Sequence, residues 1–234
     1  CFNRNNINEA LKASYDVVIC TAPSSEKLLT NLGLKNNASE IETLLNVLKN
    51  IQTGHMILVS TKSVFDSGSR YSAIHQKIYN GVIGAHRNKN TIYIMDTLYG
   101  KTLKKGFVHD LLSRQWTYIS NDIVLDKPEL ENYYQKVNDQ LWSLVEPLSD
   151  ELLRALEPIS DIYPDEMCYQ VTAINELVSH LVVNLNRIDG VKLGIDKSEI
   201  FTGKQIKNLL KNPDDSILGQ YFKQQKGDSN LENL

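Results

Sequence analysis

The chain has 234 residues, 41% hydrophobic and 23% charged, and its 25 Lys and Arg against 28 Asp and Glu give a formal net charge of -3. This is the make-up of an ordinary globular protein of one large or two small domains, with ample length to bury a core. There is no cationic excess of the kind that releases counterions from nucleic acid, so nucleic acid is not expected as a partner.

Cysteines stand only at Cys1, Cys20 and Cys168, an odd and scattered set that makes neither a disulfide framework nor a zinc spacing and suits a reducing cytoplasm. His55, His75, His86, His109 and His180 form no short ligand pattern, so no metal is expected. Apolar runs such as Val17 to Cys20 fall far short of the roughly 20 residues that span a bilayer, and no basic-then-apolar leader opens the sequence. Neither membrane nor secretion is expected.

In chain order, Tyr15 to Ala22 (YDVVICTA) is a short β-branched run closed by Pro23 and Ser24, the pattern of a strand buried on both faces. Glu40 to Ile51 spaces Ile41, Leu44, Leu45, Leu48 and Ile51 as a helix does, with Ser39 as N-cap and Gly54 as a stop. Met56 to Ser60 (MILVS) is a second strand, Tyr71 to Arg87 a helix, and Thr91 to Met95 (TIYIM) a third strand. This alternation predicts an α/β fold, a parallel sheet with helices on both faces. Ligands of such sheets sit beyond the C-terminal strand ends, which here means the residues after Cys20, Ser60 and Met95.

The second half reads differently. Val137, Leu141, Leu144, Val145, Leu148, Leu152 and Leu156 keep a helical period that Pro147 interrupts, so Val137 to Leu156 is expected as one kinked helix or two short ones. Val171 to Leu185 is expected as another helix, Trp116, Tyr133, Tyr134 and Trp142 as core fillers, and Gln224 to Leu234 as a frayed tail.

The strand ends read ICTAPSSEK (Ile19 to Lys27), LVSTKSVF (Leu58 to Phe65) and MDTLYGKTLKKGFVHDLL (Met95 to Leu112). Together they resemble the NAD(P)-dependent epimerase/dehydratase type of extended short-chain dehydrogenase/reductase, most closely a small atypical group of oxidoreductases. Weaker likeness continues through CYQVTAINELVSHL and VKLGIDKSEIFTGKQI, with an insertion around Asn132 to Tyr163. The resemblance implies a Rossmann-like sheet over residues 1–125, a mostly helical, substrate-side part over 126–223, a flexible tail over 224–234, and a possible homodimer through helices flanking the sheet. It further implies that CFNRNNINEAL matches the end of the family's second strand, so that the first strand, its glycine-rich turn and the first helix are missing. Either the sequence is an N-terminally shortened piece, or another segment fills that slot.

What the resemblance implies for chemistry is a proton relay of Ser or Thr, Tyr and Lys. Thr61 matches the Ser/Thr position, where turn chemistry is the competing account, and Tyr71 matches the Tyr. The Lys position holds His75, and a neutral His cannot reproduce an ammonium beside the ribose. Ile94 and Asp96 stand where the group has Arg and Pro. Asp96, Lys101, Lys104 and Lys105 are the candidate substrate contacts, with a solvated helix start as the alternative for the lysines. Ala22, Pro23 and Ser24 match the turn under the cofactor. Arg4 follows the second strand, where an arginine accommodates the phosphate of NADP in place of NAD. Two functions therefore compete: an oxidoreductase or epimerase acting on a hydroxylated, possibly nucleotide-linked sugar, and a catalytically silent relative that binds a nucleotide or a protein.

Overall fold

The computed structural model describes residues 1–23, 27–103, 106–113, 118–145, 148 and 165–228. In chain order the elements are β1 (Ser14–Cys20), α1 (Lys27–Asn31), α2 (Ala38–Asn50), β2 (Gln52–Thr61), α3 (Arg70–Ala85), β3 (Asn90–Met95), β4 (Thr97–Tyr99), α4 (Phe107–Ser113), β5 (Tyr118–Ser120), α5 (Asn121–Asp126), β6 (Tyr134–Asn138), β7 (Leu141–Leu144) and β8 (Cys168–Ala173). Then come α6 (Ile174–Val183), β9 (Gly190–Leu193), β10 (Glu199–Thr202), α7 (Gly203–Lys211) and α8 (Ile217–Asp228). The chain divides into two compact units, Cys1–Asp96 with Asn175–Ser198, and Thr97–Ile174 with Glu199–Leu234.

The first unit is built on a parallel sheet in the order β1-β2-β3-β9. Every residue of β3 is buried, as is His55 to Leu58 of β2, which is why both read as near-continuous apolar runs. Cys20, Leu58 and Ile92 stand side by side in register and face Ile41, Leu44 and Leu48 of α2 and Ile74, Ile78 and Val82 of α3. Tyr93, between Ile92 and Ile94, turns to the opposite face and meets His180 of α6, with ring centroids 5.3 Å apart. Helices thus cover both faces, as the alternation predicts. The sheet and its flanking helices are the Rossmann-like α/β arrangement that the resemblance implies.

Local signals explain the helix limits. Helix α2 is capped not at Ser39 but at Asn37, whose Oδ1 accepts the Glu40 amide at 2.9 Å while Glu40 Oε2 accepts the Asn37 amide at 3.3 Å. This reciprocal box satisfies two amides, where Ser39 would satisfy one. The segment that closes the sheet is pinned by polar contacts. Thr91, fully buried, donates to the Arg187 carbonyl at 3.1 Å, accepts the Asp189 amide at 3.0 Å and lies 2.9 Å from His55 Nε2. His55 Nδ1 in turn reaches the Leu185 carbonyl at 2.6 Å.

The second unit holds two small sheets, β10-β8-β4 and β5-β7-β6. Here two sequence expectations are corrected. Val137 lies in β6, and Leu141 and Leu144 lie in β7, so the start of the expected kinked helix is an antiparallel pair. Spacings of three and four also fit two short strands joined across a tight turn, and Asn138 makes that turn by accepting the Gln140 amide at 2.9 Å. The expected stretch from 149 to 156 lies outside the described residues. In the second case, Val171 to Ala173 complete β8 before α6 begins, because one apolar run serves both a buried strand and the helix after it.

The tail expectation changes too, since α8 runs on through Gln224 to Asp228, with 229–234 outside the described residues. The core of this unit gathers Tyr99, Phe107, Val171, Ile206, Leu218 and Phe222. A smaller cluster around Leu130 and Tyr134 takes Tyr133 and Trp142 against it, the filling role expected of them; Trp116 lies outside the described residues. Among the described residues no helix is long and apolar enough to cross a membrane.

Candidate functional site

Strand β2 ends at Thr61, where the chain turns into a short 3-10 segment, Lys62–Phe65. The Thr61 hydroxyl caps that turn, accepting the Ser63 amide at 3.4 Å. Helix α3 then starts behind Ser69, whose Oγ accepts the Ser72 amide at 3.0 Å. This places Tyr71 in the first turn of α3, buried, with its hydroxyl close enough to the Thr61 side chain to be influenced by it. Burial pushes the phenol above its ordinary value of 10.0, and the polar Thr61 side chain draws it part of the way back.

One helical turn on, His75 packs against Tyr71 with ring centroids 4.3 Å apart. His75 is only 4% exposed, and its Nε2 finds no hydrogen-bond partner among the described residues. Loss of hydration lowers its pKa from 6.5 to about 4, so the ring is neutral near pH 7. Thr61, Tyr71 and His75 are therefore brought together, but without a cation among the described residues to favour the phenolate. Lys77 is exposed and Tyr79 packs edge-on against Phe65, so neither takes that place.

The neighbouring strand ends supply the surroundings. Thr61 stands opposite Met95 in register, and the next residue, Asp96, pairs with Lys62 at 3.6 Å. Ile94 is a core residue at 2% exposure. After β1, Ala22 and buried Pro23 form a turn with a cis peptide bond between them. Burial pushes the Cys20 thiol up, as suits a core cysteine.

Other expected residues fall elsewhere. Arg4 is exposed and holds Glu40 Oε1 at 3.2 Å. Lys101 is exposed in the second unit, close enough to Tyr221 to act on its phenol. Ser24, Lys104 and Lys105 lie outside the described residues. Two residues at this site escape sequence reading. Lys62 is the cation that holds Asp96, and Asn31 accepts the Tyr71 backbone amide at 2.9 Å. No local pattern announces Asn31, which lies 40 residues from its partner. Among the described residues no group of three or more His, Cys, Asp or Glu side chains could hold a metal ion.

No protein-family model and no curated protein matches the chain. Solved structures do. UDP-glucuronic acid 4-epimerase from Bacillus cereus, in complex with NAD, is 17% identical, with 90% of this chain and 62% of that chain covered and a TM-score of 0.50. MoeE5 in complex with UDP-glucose and NAD is 10% identical over 88% of this chain and 64% of that one, at a TM-score of 0.50. TunA, an NAD-dependent NDP-hexosamine 5,6-dehydratase of tunicamycin biosynthesis, is 15% identical over 86% and 63%, at a TM-score of 0.51. The chain thus has the fold of these enzymes and spans a little over three fifths of their length, 62% to 64%.

Proposed function

We propose that the chain carries the proton-handling site of an NAD(P)-dependent oxidoreductase or epimerase that acts on a hydroxylated, nucleotide-linked sugar. The observation that supports it is the juxtaposition of Thr61 and Tyr71 at the C-terminal end of β2, in a fold shared with enzymes solved with NAD and UDP-glucose. Ligands of parallel sheets bind at that end.

A bound nicotinamide supplies hydride exchange with the sugar carbon. The chain's own groups do the rest. Tyr71 Oη, in its ionised form, takes the hydroxyl proton as the alcohol becomes a ketone and, as the neutral phenol, returns it in the reverse direction, and Thr61 Oγ1 orients the same oxygen. The residues fit the cofactor in one respect and not in another. His75 Nε2 is a buried polar atom that lacks a partner among the described residues, as a group that bonds a ribose hydroxyl would, but a neutral imidazole gives Tyr71 no charge to lower its pKa.

The experiment is a titration with NADH and NADPH, followed by turnover of a nucleotide sugar by Tyr71→Phe. Turnover should fall by about 100-fold or more, with cofactor affinity nearly unchanged. Unchanged turnover removes the role of Tyr71. The finer cofactor reading, NADP, rests on Arg4, which must give up its ion pair with Glu40 to meet a 2′-phosphate; tighter NADPH than NADH binding is its test. The partner reading is a homodimer, and sedimentation reads it directly. Action in the cytoplasm rests on three cysteines that are all free.

His75 favours a second reading, a silent nucleotide-binding scaffold, because a neutral imidazole stands where an ammonium would favour the ionised form of Tyr71. Saturable binding of NADH without turnover in the wild type decides for it.

A further inference from the structure

The first four amides of an α-helix have no partner inside the helix. In α3 two of them are satisfied from different places. Ser69 accepts the Ser72 amide locally, whereas the Tyr71 amide goes to Asn31 Oδ1 at 2.9 Å, at the far end of α1. Asn31 is itself fixed. Its neighbour Thr30 is fully buried and accepts from Asn36 Nδ2 at 2.8 Å, the Asn36 carbonyl accepts from Arg70 at 3.3 Å, and the Leu34 amide returns to the Leu29 carbonyl at 2.9 Å. Asn36 holds a left-handed backbone, φ 54°, which asparagine adopts more readily than most residues. Residues 27–37 therefore form a braced segment between the turn after β1 and the first turn of α3.

We propose that Asn31 is a positioning residue for Tyr71, a cap supplied from another segment that sets where the Tyr71 phenol sits against Thr61. Asn31 bonds the Tyr71 backbone amide and acts through it. The inference rests on the reading of Tyr71 as the proton-handling residue, since otherwise its orientation serves no chemistry.

The test follows the Tyr71 ring by NMR in the full chain with 13C-labelled tyrosine, its signal assigned by loss in Tyr71→Phe. Because burial raises the phenol pKa, Asn31→Ala should let the ring toward solvent and shift its titration downward, toward ordinary tyrosine. Asn31→Asp keeps an acceptor at the helix start and should titrate with the wild type. Thr30→Val loosens the segment that holds Asn31 but leaves the cap, and should shift the titration by less than Asn31→Ala. Amide exchange at Tyr71 should quicken about fivefold in Asn31→Ala, the change that a typical cap contribution implies.

An unshifted ring in Asn31→Ala, or an equal shift in Thr30→Val, overturns the proposal. Should Asn31→Ala not fold, exchange in the unsubstituted protein decides: protection of the Tyr71 amide supports the cap, and exchange at the rate of a free amide overturns it. None of these readouts uses turnover, so a wild type without hydride transfer would sink the proposed chemistry and leave this test standing.

Discussion

His75 stacks on Tyr71 at a ring-centroid distance of 4.3 Å while its own Nε2 stays buried and unbonded among the described residues. A hydrogen-bonding atom is thus held dry beside the phenol nearest to Thr61 in the candidate site, at a cost to stability that an apolar side chain would not carry.

That cost has a pH dependence with a definite sign. The His75 pKa is about 4 in the folded chain against 6.5 for an ordinary histidine, so between those values the unfolded chain binds more protons. Stability therefore rises with pH across this window and is lost on acidification through it, by about 3 kcal/mol at most. Urea midpoints followed from neutral pH downward should show this acid limb in the wild type and a weaker one in His75→Leu. Identical slopes would mean that His75 is not held neutral.

The same substitution should stabilise the protein near pH 7 by about 1 kcal/mol, since it replaces an unsatisfied buried polar group with an apolar one. If His75 Nε2 serves a ligand hydroxyl, His75→Leu should also weaken NADH binding. Denaturant midpoints and a binding titration on one preparation check both.

Thr91 makes three polar contacts with the segment and strand around it while fully buried. Thr91→Val keeps the shape and leaves the Asp189 amide and the Arg187 carbonyl without their partner. A loss of about 2 to 3 kcal/mol is expected in urea unfolding. A loss below about 0.5 kcal/mol, the range of neutral surface changes, would contradict the pinning role.

In the second unit, Gly219 packs on the turn that starts α8. A Cβ there would lie 2.6 Å from the Asp214 carbonyl oxygen and 2.9 Å from its amide nitrogen, both backbone atoms that cannot swing away. Gly219→Ala should lower the unfolding midpoint by the equivalent of about 1 to 3 kcal/mol, despite alanine's better helix propensity. A more stable variant would show that this turn yields.

The parallel sheet was legible because buried strands leave continuous apolar runs, and Met56 to Ser60 and Thr91 to Met95 need no distant information to be read. Thr61, Tyr71 and His75 were legible as a group, because a strand end and a helical spacing of four put them together. The antiparallel pair at β6 and β7 was not, since Val137, Leu141 and Leu144 satisfy helical spacing while the backbone hydrogen bonds run across the turn. Neither was the Asn31 cap or the Thr91 contact with the Asp189 amide, 98 residues away, because both exist only once the chain has closed on itself. Arg4 shows the converse: its position was legible, whereas its engagement by Glu40 depends on where α2 begins.

The most direct measurement is a calorimetric titration of the full chain with NADH, run beside a hydride-transfer assay on wild type and Tyr71→Phe. The account predicts saturable binding by both proteins and hydride transfer by the wild type alone. Absence of saturable binding to the wild type, or equal hydride transfer by the two, would contradict it.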